Sequence, residues 1–148
     1  MQCYIGVIFA IILMRVVIDT NVVFEGLTRQ GGAAGLLIES WLAGLIEVYI
    51  SDALAYEYVD VLFRKLSKSR WLKLQPVLKT LISNANYTPI YYSSRPTSPD
   101  PGDDLVIDCG MNAAAIVVTL NIKDFRRAKE SLGLQIITPS ELVNKLAE

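Results

Sequence analysis

Short apolar runs alternate with longer amphipathic stretches along most of this chain, and that alternation predicts an α/β fold. The first run, Arg15–Thr20, contains Val16, Val17 and Ile18, β-branched residues suited to a parallel strand buried on both faces. Gly31-Gly32 then opens a helix that passes Leu36, Leu37 and Trp41 and stops near Gly44. Glu47–Ile50 reads as a short strand. Ser51 caps a helix with the stripe Leu54, Tyr58, Val61, Leu62 and Lys65. A further helix is expected over Leu72–Asn84, with Pro76 in its first turns, then a strand over Thr88–Tyr92 and a turn-rich loop over Ser93–Pro99. The rest of the pattern gives a helix over Asp103–Ala114, a buried strand over Ala115–Thr119 and a short helix over Phe125–Ser131. A last strand over Gln135–Thr138 leads into a helix that starts at Pro139 and runs to Glu148. Strands separated by helices call for a parallel sheet between helical layers.

Residues 1–13 stand apart from this pattern. Tyr4–Leu13 is apolar but too short to cross a bilayer, which needs about 20 residues. No basic residue precedes it and no small-residue cleavage site follows it, which argues against a signal peptide. It reads as an upstream mis-start or a disordered apolar tail, with the domain proper over residues 14–148. The expected location is cytoplasmic, with no membrane contact.

Composition narrows the chemistry. At 148 residues and 52% hydrophobic content, the chain fits one domain with a sizeable core. A net charge of −1 provides no global basic field, so any nucleic acid would need a local patch. Two cysteines, Cys3 and Cys109, make neither a disulfide framework nor a thiolate zinc site. The absence of histidine excludes a Ser-His-Asp triad, a Cys-His pair and a histidine-ligated zinc. A metal here would be a hard ion held by oxygen, Mg²⁺ or Mn²⁺.

Four acidic stations could supply that oxygen. Asp19-Thr20-Asn21 ends the first strand, and parallel strands present functional groups at their carboxyl ends. The plainer reading of Asp19 is a turn residue, but three oxygen-bearing side chains at that point favour a functional one. Glu57 lies at the edge of its helix's apolar stripe, where surface and function are equally well served. Asp100-Pro101-Gly102-Asp103 is a helix start, with Asp100 at N-cap, Pro101 at N1 and Asp103 at N3. Asp103 could therefore be a capping acid, yet it heads the stripe Ile107, Gly110 and Ala114 that should face the sheet. Asp104 and Asp108 form a neighbouring acidic pair that could support the site from behind. Asn121 and Asp124 occupy the polar loop after Thr119, and Asp124 could equally cap the next helix. Carboxylates from remote segments that meet in one crevice repel each other unless cations neutralise them.

The segments Arg15–Asn21, Ser51–Glu57, Asp100–Asp104 and Thr119–Phe125 together resemble a PIN-domain ribonuclease of the kind that forms the toxin of VapBC-type toxin–antitoxin pairs. The resemblance covers Met14 to about Glu148. It implies a three-layer α/β/α fold around a central parallel sheet of about five strands. It also implies an Mg²⁺- or Mn²⁺-dependent endoribonuclease acting on single-stranded RNA, with a cognate antitoxin as partner and a homodimer as the expected assembly. By similarity Asp19, Glu57 and Asp103 fall on the family's principal acidic positions, and Asp19 and Asp103 would be the metal ligands. The fourth position falls on Asn121, with Asp124 just beyond it as a further catalytic candidate. An asparagine there departs from the four-acid version and weakens any second metal site. Thr20, Asn21, Asp104, Asp108 and Asn121 would play supporting roles.

Two groups of cations could hold an RNA backbone. Arg64, Lys65, Lys68, Arg70 and Lys73 surround Trp71, while Lys123, Arg126, Arg127 and Lys129 follow the last acidic loop. Lys123, Arg126 and Arg127 are the favoured candidates because they adjoin the proposed site. The helices around Trp41 and Trp71 offer aromatic anchors for association. The rival readings are a non-catalytic or other-substrate α/β metal-binding module and, more remotely, a phosphatase-like hydrolase. The latter ordinarily wants a second aspartate two residues after the first, where this chain has Asn21.

Overall fold

The computed structural model describes residues 13–93 and 100–148. The N-terminal extension, apart from Leu13, and most of the Ser93–Pro99 loop lie outside the described residues. Five strands, β1 (Arg15–Ile18), β2 (Glu47–Ile50), β3 (Asn86–Tyr87), β4 (Ile116–Val118) and β5 (Ile136–Ile137), form one sheet in the order β3-β2-β1-β4-β5. Every pairing is parallel, with Val16 opposite Val48, Ile18 opposite Val118, and Val118 opposite Ile137. Among the described residues seven α-helices flank the sheet: α1 (Thr20–Thr28), α2 (Ala33–Leu42), α3 (Asp52–Lys65), α4 (Lys68–Ser83), α5 (Pro101–Ala113), α6 (Arg126–Leu132) and α7 (Pro139–Leu146). This is the expected three-layer α/β/α architecture. Strand order reverses direction at β1, between β2 and β4, and such a switch point opens a crevice above the strand ends.

Local chemistry accounts for several boundaries. Ser51 caps α3, its Oγ accepting from the Leu54 N–H at 3.1 Å. Asp100 caps α5 by accepting from the Gly102 N–H at 2.9 Å, with Pro101 at the first helical position. Thr138 and Glu141 form a reciprocal capping box at the start of α7.

Three expectations need correction. The first strand ends at Ile18, and helix α1, absent from the sequence reading, begins at once at Thr20. Val22 and Val23 are fully buried, so core packing overrides the weak helix propensity of adjacent β-branched residues. The third strand is Asn86–Tyr87, two residues earlier than Thr88–Tyr92. Pro89 carries no amide for a sheet ladder, and the N–H groups of Tyr91 and Tyr92 turn instead to Asn112 Oδ1 at 2.9 and 3.4 Å. Helix α4 starts at Lys68, capped by Ser67, rather than at Leu72.

Val16, Val17, Ile18, Leu54, Ile107 and Val117 make the centre of the core. Trp41 belongs to it as well, edge-on to Tyr58 at 6.5 Å, so it cannot anchor a partner. Trp71 is half-buried against the edge of the core, edge-on to the exposed Phe63 at 5.6 Å. Helix α5 sits tightly on β4 because Gly110 has no side chain: a Cβ there would lie 2.8 Å from Val117 Cγ2.

Candidate functional site

An open crevice of about 510 Å³ lies at the carboxyl ends of the strands. Asp19, Thr20, Asn21, Glu57, Asp103 and Asp124 all line it, so four separate segments bring their acids to one place. Asp104, Asp108 and Asn121 do not line it. Asp104 and Asp108 are buried on α5, and Asn121 acts from outside by donating Nδ2 to Asp124 Oδ2 at 2.7 Å. Asp100, expected only as a helix cap, also lines the crevice.

The core sets the position of Asp19. Its N–H donates to the Val118 carbonyl at 2.9 Å, continuing the β1–β4 ladder one residue past the strand. Asp19 Oδ2 accepts from the Thr119 hydroxyl at 2.7 Å, and the same Oγ1 accepts from the Asn121 N–H at 3.1 Å. Thr119 is wholly buried and is a site residue that sequence reasoning missed. The only available signal was a hydroxyl at a strand end beside an acid. Burial raises the Asp19 carboxyl above the ordinary aspartate value, offset in part by the Thr119 hydroxyl and the N–H groups of Thr20 and Asn21. The negative charge of Asp100 pushes it further in the same upward direction.

Glu57 is placed by its neighbour. The phenol of Tyr58, fully buried, donates to the Ile18 carbonyl and ties α3 to the end of β1. Glu57, the residue before it, is half-buried and projects over the first turn of α5. A Cβ on Gly102 would lie 3.2 Å from Glu57 Oε1 and 3.3 Å from Asp100 Oδ1. The bare glycine therefore leaves a cradle in which two carboxylates approach the same point. Their proximity to the N-terminal end of α5 is favourable for negative charge.

These donors suit a hard divalent cation. All are oxygens, one is a carboxylate whose pKa is raised chiefly by burial, and two share the Gly102 cradle. Among the described residues no group of three or more His, Cys, Asp or Glu side chains is drawn together closely enough to hold a metal ion. Mg²⁺ ordinarily keeps several waters and takes only one or two carboxylates, so an open arrangement fits it.

Cations divide differently from expectation. Arg64 and Lys65 line the crevice, at the end of the α3 face that begins with Glu57 and Val61. Lys123 and Arg126 line a separate shallow hollow of about 400 Å³ with Ile122, Lys129 and Glu130, and Arg127 is exposed on α6. Among the described residues no helix is long and apolar enough to cross a membrane. Cys109 is buried, and its thiol is pushed up to about 11 by desolvation, which leaves it unreactive.

Comparison with protein families matches residues 15–123 to the PIN domain. Comparison with curated proteins finds no match. Among solved structures, the chain is similar to VapBC2 from Rickettsia felis, bound to a DNA fragment from the promoter, with a TM-score of 0.60 at 18% identity over 84% of this chain and 98% of that one. It is also similar to FitAcB from Neisseria gonorrhoeae, with a TM-score of 0.57 at 18% identity over 84% and 98% of the two chains. VapBC-1 from nontypeable Haemophilus influenzae gives 0.55 at 14% identity, over 86% and 99%. At such identities these likenesses speak to the fold.

Proposed function

The chain belongs to the PIN-domain family, and from that premise we propose that it is a divalent-metal-dependent endoribonuclease, the toxin of a toxin–antitoxin pair. The observation that carries this reading is the meeting of Asp19, Glu57, Asp103 and Asp124, from four separate segments, in one crevice at the strand ends. Asp19 and Asp103 would hold Mg²⁺ or Mn²⁺. Such an ion, when bound, neutralises a phosphodiester and lowers the pKa of water beside it.

The protein's own groups supply orientation. Thr119 turns the Asp19 carboxylate towards the crevice by occupying its Oδ2. Glu57, held over Gly102, is the group to accept a proton from the attacking water. Asn121 steadies Asp124 by donating to its Oδ2. Thr20 and Asn21, in the first turn of α1, present their side chains to the phosphate. Asp103 rather than Asp104 is the ligand we favour, because Asp103 lines the crevice and Asp104 does not.

Two of the three solved neighbours described above are VapBC proteins, which supports a cognate antitoxin as partner here. Such a partner could answer the acidic crevice with an arginine in bidentate contact. A homodimer remains our expectation, with the exposed Tyr56, Phe63 and Leu72 of α3 and α4 as apolar surface to cover. The deciding experiment is cleavage of a mixed single-stranded RNA with Mn²⁺, with and without chelator. Cleavage should need the metal and disappear in Asp103→Asn. Activity that persists in EDTA would overturn the metal-dependent reading.

A further inference from the structure

The crevice is not uniform along its length. Thr20, Phe24 and their neighbours on α1 face Glu57, Val61, Arg64 and Lys65 on α3, and the two stripes form the walls of one trough. On α3 the residues recur at intervals of four, three and one, a single helical face. The upper end carries the acids and the lower end carries two cations. From Glu57 to Arg64 the helix rises by about 10 Å. The lining thus passes over that distance from carboxylates to a lysine and an ion-paired arginine.

The lower end is built across both helices. Lys65 Nζ lies 5.3 Å from the centroid of the Phe24 ring, so the lysine reaches from α3 over the trough to α1. Arg64 Nε is paired with Asp60 at 2.9 Å, which steadies the side chain along the helix and offsets part of its charge, so Lys65 is the main cation of this end. Glu25 also lines this end, but Arg29 lies 3.5 Å from it and offsets its charge. An anionic strand is repelled by the acidic head when no metal is bound, and its neighbouring phosphate is favoured only where Arg64 and Lys65 stand. Aromatic rings accept unpaired bases by stacking, whatever their identity.

We propose that this trough between α1 and α3 is the track of the RNA strand adjoining the cleaved bond, with Arg64 and Lys65 holding a backbone phosphate and Phe24 presenting its ring to a base. The proposal rests on the ribonuclease reading above, and it moves the backbone contact away from Lys123, Arg126 and Arg127. Arg64 and Lys65 are binding residues in this scheme and take no part in bond cleavage.

The test is steady-state cleavage of a mixed-sequence single-stranded RNA by the full chain with Mn²⁺. The double variant Arg64→Ala/Lys65→Ala should raise KM by about 10-fold and leave kcat within about 2-fold, the pattern of lost uniform binding. The dependence of log KM on log salt should flatten by about one unit for each phosphate contact removed. Phe24→Leu, which keeps an apolar side chain but removes the ring, should raise KM several-fold without changing the salt slope. Mn²⁺ affinity measured on the protein alone should be the same in all three proteins, and Lys123→Ala/Arg126→Ala should match wild type in KM. An unchanged KM in the Arg64/Lys65 variant overturns the proposal, and leaves a protein partner as the occupant of the trough. So does a KM raised in the Lys123/Arg126 variant instead. A wild-type protein that binds Mn²⁺ but cleaves no RNA removes the underlying reading and this inference together, a result distinct from either of those.

Discussion

Asp19 and Asp124 line the same crevice, yet the molecule holds them by opposite means. Asp19 is 5% exposed, follows directly on a core strand, and is clamped by a buried hydroxyl. Asp124 is exposed, sits in a single turn of 3-10 helix over Ile122–Phe125, and has one side-chain partner, Asn121, among the bonds described above. The first acid is where it is because the sheet is where it is. The second depends on a loop, anchored by the buried Phe125 that follows it. A site built in this way has a fixed half and an adjustable half, and substitutions in the two halves should differ in size and in kind.

The largest effect is expected at the fixed half. Asp19→Asn should reduce cleavage by about 10²–10³-fold or more, the scale of losing a main charge-stabilising group. The same change should stabilise the metal-free protein. The Asp19 carboxyl is raised in the fold, so between its ordinary and raised values the native state binds more protons than the unfolded state. Its unfavourable contribution is therefore complete above the raised pKa and fades as pH falls through that range. A thermal melt in EDTA should show Asp19→Asn with the higher Tm at neutral pH, and the advantage should shrink on acidification. A variant less stable than wild type at neutral pH would mean that Asp19 holds the fold together rather than straining it.

Thr119→Val probes the clamp rather than the charge. It keeps the shape but removes the hydroxyl that serves both Asp19 and the Asn121 N–H. Leaving those two groups without this partner should cost about 1–3 kcal/mol of stability. The hydroxyl also lowers the Asp19 pKa, so its loss should raise that pKa further and shift the acid limb of the pH–rate profile upwards. A profile that does not move would separate Thr119 from the ionisation of Asp19.

The contrast between the two halves also tracks what was legible in the sequence. Val16–Ile18 followed by Asp19 could be read because a run of β-branched residues has one good solution, a buried strand whose end is the site. The capped starts at Ser51 and Asp100 were legible for a related reason, since their partners lie within three residues. Thr119 could not be singled out: its bond to Asp19 spans 100 residues and exists only once β4 lies beside β1. Helix α1 was hidden because Val22 and Val23 favour strands locally and are overruled by burial. The crevice-lining role of Arg64 and Lys65 was likewise hidden: Lys123 and Arg126 adjoin the acidic loop in the chain, yet in space they line a separate hollow.

Gly102→Ala should give a smaller effect with opposing signs. The new Cβ would meet Glu57 Oε1 at 3.2 Å and Asp100 Oδ1 at 3.3 Å, so both carboxylates must move by a few tenths of an ångström. Alanine is meanwhile the better helix former, by up to about 1 kcal/mol. The expected outcome is Mn²⁺ affinity lowered several-fold, read by titration calorimetry, in a protein at least as stable as wild type. Unchanged Mn²⁺ affinity would show that the cradle does not position the metal's ligands.

The smallest effect belongs to the adjustable half. Asn121→Ala removes the 2.7 Å bond to Asp124 Oδ2 at an exposed position, where water can replace the lost donor. Stability should therefore change by less than about 0.5 kcal/mol. Cleavage should fall by no more than about 10-fold, because Asp124 is still present and only its orientation is loosened. Asn121→Asp makes the sharper comparison. A second carboxylate beside Asp124 adds repulsion in the metal-free state and a ligand in the loaded one. Its metal-free Tm should drop below wild type and recover with Mn²⁺ by more than the wild-type Tm rises. Equal Mn²⁺ responses in the two proteins would mean that position 121 lies too far from the ion to join it, and that the loop tunes only Asp124.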